Sequence, residues 1–123
     1  MALFSLSIEQ PFVTITASGN THTVDFSKPG NNYKITANNA TNTIAFSNLS
    51  NDLQGKSGNI IIDNPSSVGS LGWAALPATS YTPGGGAISF DTTASKQAVL
   101  SYLIVSSSIV LINYVGDFGS YPQ

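Results

Sequence analysis

The sequence predicts an all-β fold, an antiparallel β-sandwich or jelly-roll-like single domain, from three observations. Apolar residues recur at every second position through most of the chain, the repeat of a strand with one face buried. Clusters of Gly, Pro, Asn and Ser interrupt these runs at intervals of about 8 to 12 residues, the turn spacing of sandwiches and small barrels. No segment keeps the three-to-four-residue apolar spacing of an amphipathic helix over more than about two turns. At 123 residues the chain is one domain. A chain of that length supports one core, burying about two-thirds of its unfolded surface.

Taken in order, Val13, Ile15 and Ala17 alternate with Thr14 and Thr16. Ser18-Gly19-Asn20 then turns the chain into His22, Val24 and Phe26, so the two runs are expected to form a hairpin. Pro29-Gly30-Asn31-Asn32 supplies the next turn, because Pro sets one φ and Gly or Asn accepts a positive one. Tyr33, Ile35 and Ala37 follow at period two. After a break at Asn38–Asn42, Thr43–Ser47 carries Ile44 and Phe46 on one face, and Asn48–Ser57 is a polar loop. Asn59–Asp63 holds Ile60, Ile61 and Ile62 in succession, which suits a central strand covered on both faces. Asn64–Gly86 is rich in Pro, Gly and Ser and reads as a long loop around the single Trp73, before Ala87–Asp91 returns to strand.

The chain closes on Gln97–Gly116, which contains no charged side chain. A membrane-spanning helix needs roughly 20 predominantly apolar residues, and this run gives Gln97, Ser101, Ser106, Ser107, Ser108 and Asn113 to polar groups. Its β-branched Val99, Ile104, Val105, Ile109, Val110, Ile112 and Val115 instead favour two strands, Ala98–Val105 and Ile109–Val115, turning at the three serines.

The composition excludes several function classes. There is no cysteine, so no disulfide scaffold. The basic residues are four lysines, against six acidic residues, for a net charge of −2. Without arginine the chain lacks the bidentate group that reads phosphates and guanines, so nucleic acid is not an expected partner. Ser, Thr and Asn fill about a third of the chain, and the surface is therefore hydroxyl and amide rather than ionic. Such a chain lacks the lysines that usually guard edge strands, so another subunit is expected to cover some edges. Met1–Ser7 is mildly apolar but lacks a basic region and soon meets Glu9 and Pro11, so no signal peptide is expected. Without export, the glycosylation triplets at Asn39 and Asn48 carry no weight.

Searches for catalytic chemistry fail one by one. Gly55-Lys56-Ser57 ends like a phosphate-binding loop, yet Ser50 stands where the first glycine is required. His22 is the only histidine, which excludes a histidine-pair metal site, and it reads as a strand residue on the side of Val24 and Phe26. Asp25, Asp52, Asp63, Asp91 and Asp117 lack the spacing of a calcium loop and are expected to cap their own turns. Pro83-Gly84-Gly85-Gly86 reads as a turn rather than an anion cradle. Trp73 and Tyr81, with Tyr114, Phe118 and Tyr121, are aromatics that fill a core, plug a subunit seam or offer a contact surface. No cofactor and no metal is expected.

The order Thr21–Ser27, Asn32–Ala37, Thr43–Asn48, Gly55–Ile62, the Trp73 loop, Pro83-Gly84-Gly85, and Gln97–Tyr102 with Val115–Phe118 resembles a β-rich module of tailed-bacteriophage virion proteins. That module recurs in capsid decoration, head-fibre and tail-fibre proteins. Two turns depart from its pattern: Asp63-Asn64-Pro65-Ser66-Ser67 replaces a Gln-Asp-x-x-Gly turn, and Gln97 replaces an aspartate. The resemblance implies a non-enzymatic structural protein, usually trimeric. It divides the chain into residues 1–20, an arm with the first strand, residues 21–118, the module, and residues 119–123, a tail. With so short a leading segment, the expectation is a capsid decoration or cement protein that binds the major capsid protein and itself, on the capsid surface of the virion. Leu3, Phe4, Leu6 and Ile8 would anchor the arm to the shell. Ile104, Ile112, Tyr114 and Phe118 would line the subunit seam, and Trp73 and Tyr81 a surface-contact loop. The alternatives are a tail-fibre or receptor-binding module and a small polysaccharide-acting enzyme. A membrane protein is the remaining rival.

Overall fold

A computed structural model describes residues 12–38, 41–65, 72–88 and 95–119. The described residues form nine strands: β1 (Val13–Thr14), β2 (Thr21–Asp25), β3 (Asn32–Thr36), β4 (Thr41–Ser47), β5 (Ser57–Asp63), β6 (Gly72–Trp73), β7 (Ser80–Tyr81), β8 (Gln97–Ser106) and β9 (Ile109–Phe118). Single 3₁₀ turns at Asn51–Leu53 and Pro83–Gly85 are the only helical pieces among them. No helix among the described residues is long and apolar enough to cross a membrane.

The strands fall into two sheets, a six-stranded one in the order β1-β3-β5-β8-β9-β7 and a three-stranded one in the order β2-β4-β6. From β1 to β7 the chain alternates between them, odd strands in one and even strands in the other. Pairing within this part is parallel: β1 with β3, β3 with β5, β2 with β4, and β4 with β6. The amino-terminal half is therefore a short coil in which each turn of chain stacks on the one before. The hairpin expected between Val13 and Phe26 is not there, and among the described residues antiparallel pairing is confined to β5–β8–β9 and one isolated Ser18–Thr21 bridge. The turn itself forms, with reciprocal Ser18–Thr21 backbone bonds of 2.9 and 3.1 Å around Gly19 at φ 63°. It delivers β2 to the opposite sheet instead of returning it beside β1. Inward and outward residues alternate identically in either case, so the periodicity cannot tell a hairpin from a coil.

The register aligns the buried rows. Tyr33 pairs with Ile60 and Ile60 with Leu100, while Ile35 pairs with Ile62 and Ile62 with Ala98. Across the core, β2 and β4 contribute Val24 and Ile44, and all of these residues belong to one hydrophobic cluster. Phe26 lies at its centre of aromatic contact, edge-on to Tyr33 at 5.7 Å and to Phe46 at 5.1 Å, and tilted on Tyr102 at 5.2 Å. β5 is interior to its sheet as expected, with Ile60 and Ile62 fully buried. Ile61 is only partly covered, since its side chain points to the outer face.

The closing hairpin forms as expected, pairing antiparallel with itself and against β5, with register shifts near Val99 and Ile104. Its turn is tied down: Ser107 N–H donates to Asn51 Oδ1 at 2.9 Å, and Gly55 N–H to the Ile104 carbonyl at 2.9 Å. The polar loop Asn48–Ser57 thus serves as a buttress. Lys56 closes the aromatic end, donating from Nζ to the carbonyls of Phe26 (2.6 Å) and Lys28 (3.1 Å) and lying 5.5 Å from the Tyr33 ring centroid. This is the structural use of Gly55-Lys56-Ser57. At Gly58 the Asn31 carbonyl sits where a Cβ would be, and the Tyr102 hydroxyl donates to that same carbonyl at 2.7 Å.

Two substitutions follow from this packing. Gly58→Ala pushes a methyl group into the Asn31 backbone and should lower stability by about 1–3 kcal/mol in urea unfolding. Ile104→Lys places an ammonium in a site only 1% exposed, and circular dichroism should show loss of the cooperative thermal transition.

Candidate functional site

Two surface features stand out, and both come from the carboxy-terminal half. The first is the outer face of the β8–β9 hairpin. Because inward positions carry Leu100, Tyr102, Ile104, Val110 and Ile112, the alternate positions must face out. There Leu103 is paired with Leu111, and Leu111 with Tyr81 of β7, so three apolar side chains form one row across three strands. Their exposures are 39, 43 and 53%. Val105, Val115 and Phe118 extend the apolar area, and all exposed large apolar residues among those described, Phe12 apart, lie on β7, β8 and β9. The neighbouring row is amide and hydroxyl: Asn32, Asn59, Ser101 and Asn113 are in successive register. Asn32 Oδ1 accepts from the Asn59 backbone N–H at 3.1 Å. A shallow groove of about 540 Å³ runs over this area, bounded by Tyr81, Pro83, Leu103 and Leu111.

The second feature is a half-open cavity of about 590 Å³ beside Trp73. One part of its lining is Pro77 with Trp73, Leu76 and Ile88, of which the last three also pack toward the core. The rim comes from the turn Thr82–Gly86. Gly84 and Gly85 both adopt positive φ, 67° and 72°, which is why glycines are needed there. The turn is closed by Gly85 N–H to the Thr82 carbonyl at 2.9 Å and Thr82 Oγ1 to the Gly86 carbonyl at 2.5 Å.

Behind Trp73 is a buried polar pair. His22, on the same face as Val24 and Phe26, is 1% exposed and tilts against the indole at 5.5 Å between centroids. Its Nε2 is 3.0 Å from Asn42 Oδ1, which also accepts the Asn38 backbone N–H at 3.1 Å. An amide oxygen only accepts, so His22 donates from Nε2, and Nδ1 is left buried without a hydrogen-bond partner. The lone histidine thus braces the indole of Trp73 from behind.

Asp25 caps its own turn, accepting from Ser27 N–H at 3.0 Å, Ser27 Oγ at 2.6 Å and Asn48 Nδ2 at 2.8 Å. These bonds hold its carboxyl below the usual value of 3.8. Burial, and then the adjacent Tyr33, push the Tyr102 phenol well above its usual range. No three His, Cys, Asp or Glu residues among those described come together as a metal site.

The structure redistributes the residues singled out from sequence. Ile104 and Ile112 are 1 and 2% exposed and belong to this chain's own core, which removes them from any subunit seam. Tyr114 is half-buried against that core, and Phe118 is exposed. Trp73 and Tyr81 lie on different features, the cavity and the apolar row. Leu3, Phe4, Leu6, Ile8 and Tyr121 lie outside the described residues. Sequence reading missed Leu103 and Leu111. Hairpin register was the available signal: once Ile104 and Ile112 are inward, their neighbours are outward. Comparison with protein-family models, with curated proteins and with solved structures finds no match to this chain.

Two measurements bear on these contacts. Asn42→Ala leaves the His22 and Asn38 donors without an acceptor and should cost about 1–3 kcal/mol in chemical denaturation. Asp25 has a lowered folded pKa, so its contribution is present above 3.8 and is lost as pH falls through the folded value. Melting temperatures of the wild type and Asp25→Asn should therefore differ near neutrality and converge in acid.

Proposed function

We propose that this chain is a non-enzymatic structural protein of a bacteriophage virion, a capsid decoration or cement protein that assembles as a homotrimer and binds the head shell. The observation that carries the reading is the exposed apolar row Leu103–Leu111–Tyr81, in which Leu103 and Leu111 belong to the uncharged run Gln97–Gly116. A contiguous exposed apolar patch on a small domain marks an interaction surface. In a rotationally symmetric assembly, residues near the axis meet their own copies, and like charges there repel. A face of Leu, Val, Tyr, Ser and Asn avoids that conflict and supplies burial with a hydrogen-bonding rim. The virion context comes from the resemblance in element order, which covers residues 21–118.

The seam in this proposal is Leu103, Leu111 and Tyr81, with Phe118 at its margin, in place of Ile104 and Ile112. Binding to the shell would rest on apolar and main-chain contact, since the chain carries few charged groups to offer.

Sedimentation equilibrium should give a trimer for the wild type. Leu111→Lys should give a monomer with unchanged far-ultraviolet circular dichroism, because the side chain is already 43% exposed. A monomeric wild type sinks the trimer. Cryo-microscopy of the source particle should place density on the capsid lattice, and density restricted to the tail would overturn the cement reading.

A further inference from the structure

The Trp73 cavity plays no part in the proposed seam, and its chemistry is specific enough to name a ligand class. We infer that it is a binding site for a neutral saccharide. Among the described residues, none that lines it carries a charge, so an ion entering it would lose hydration with no ionic partner there. The occupant is therefore uncharged. The lining is mixed in polarity: Trp73, Leu76 and Ile88 offer apolar surface, while Ser80, Thr82 and the Gly85–Gly86 backbone offer polar groups. A purely apolar ligand would leave the Ser80 hydroxyl without a partner. A sugar matches both sets, with carbon-bound hydrogens for the indole and hydroxyls for the rim.

Two further observations support the assignment. Ser80 Oγ is shielded and makes no hydrogen bond, so a ligand hydroxyl reached by rotation about its one χ1 bond supplies a partner. The site is also built in advance. Trp73 is braced by His22 and by pairing with Asn42 across β4 and β6, and the Thr82–Gly86 turn is locked by its own hydrogen bonds. Binding then costs little ordering of the protein. The volume of about 590 Å³ lies within the range of small-molecule sites and admits more than one sugar ring.

Trp73 is the only tryptophan, so its emission reports on this cavity alone. The test titrates the full chain with the methyl glycosides of glucose, galactose, mannose and N-acetylglucosamine, and with the linear oligosaccharides of each. At least one series should give a saturable emission change and protect Trp73 from acrylamide quenching. Ala87 is exposed and lines the cavity, so Ala87→Phe fills the space from outside the core. It should weaken saccharide binding by about tenfold or more with an unchanged melting temperature. The inference is overturned if no saccharide changes emission or quenching, if Ala87→Phe binds as well as the wild type, or if an apolar probe saturates the site where no sugar does. None of these results alters the sedimentation outcome, so the saccharide site and the virion assembly stand or fall separately.

Discussion

The structure depends on the parallel register that stacks one turn of the coil on the next. Tyr33 over Ile60 and Ile35 over Ile62 keep the inward row continuous from β3 to β5, and Leu100 and Ala98 of β8 extend it. A slip by one residue would exchange this row for Lys34, Ile61 and Val99, turning a lysine into the core and the aromatic and aliphatic residues outward. Burial of an unpaired ammonium makes that alternative costly, so the register is strongly specified. The orientation of the hairpin follows from it. With β8 laid on β5 in this register, Ile104 faces in and Leu103 faces out.

The two ends of the core are built differently. At one end Phe26, Tyr33, Phe46 and Tyr102 meet ring against ring, and Lys56 seals the opening by holding two backbone carbonyls. Gly58 and the Tyr102–Asn31 bond fasten the hairpin to the coil at that same end. At the other end apolar packing gives way to His22 and Asn42, a buried polar pair with the indole of Trp73 against it. Hydrogen-bonded polar groups specify orientation more tightly than apolar contact does, because a misplaced donor is left without a partner. That end carries the Trp73 cavity, whose shape rests on how the indole is held.

Both surface features are uncharged, and they differ in what they can recognise. The Leu103–Leu111–Tyr81 row is broad and apolar, the chemistry of the proposed protein seam. The Trp73 cavity is half-open and mixed in polarity, and its chemistry suits a small neutral ligand. Scarcity of charge, the most visible property of the composition, therefore has separate consequences at two places on the molecule.

The sequence by itself determined the longer strands, that β5 is interior, that the uncharged run is a hairpin, and that His22 shares a face with Val24 and Phe26. These depend on side-chain alternation and turn chemistry, which are local. Of the strand expected over Ala87–Asp91, Ala87 and Ile88 are not strand and the rest lies outside the described residues. Only the tertiary structure decided that β1 to β6 wind as a parallel coil, because alternation is the same whichever way the neighbouring strand runs. It also decided the roles within the hairpin. Leu103 and Ile104, or Leu111 and Ile112, are equally apolar, and composition cannot say which of each pair meets the core. The two-residue strands β6 and β7 lay hidden in the Asn64–Gly86 loop for a related reason: they exist through pairing with β4 and β9, not through any propensity of their own. The cavity is hidden further still, since it is the space left between a loop and the indole that the distant His22 and Asn42 hold in place.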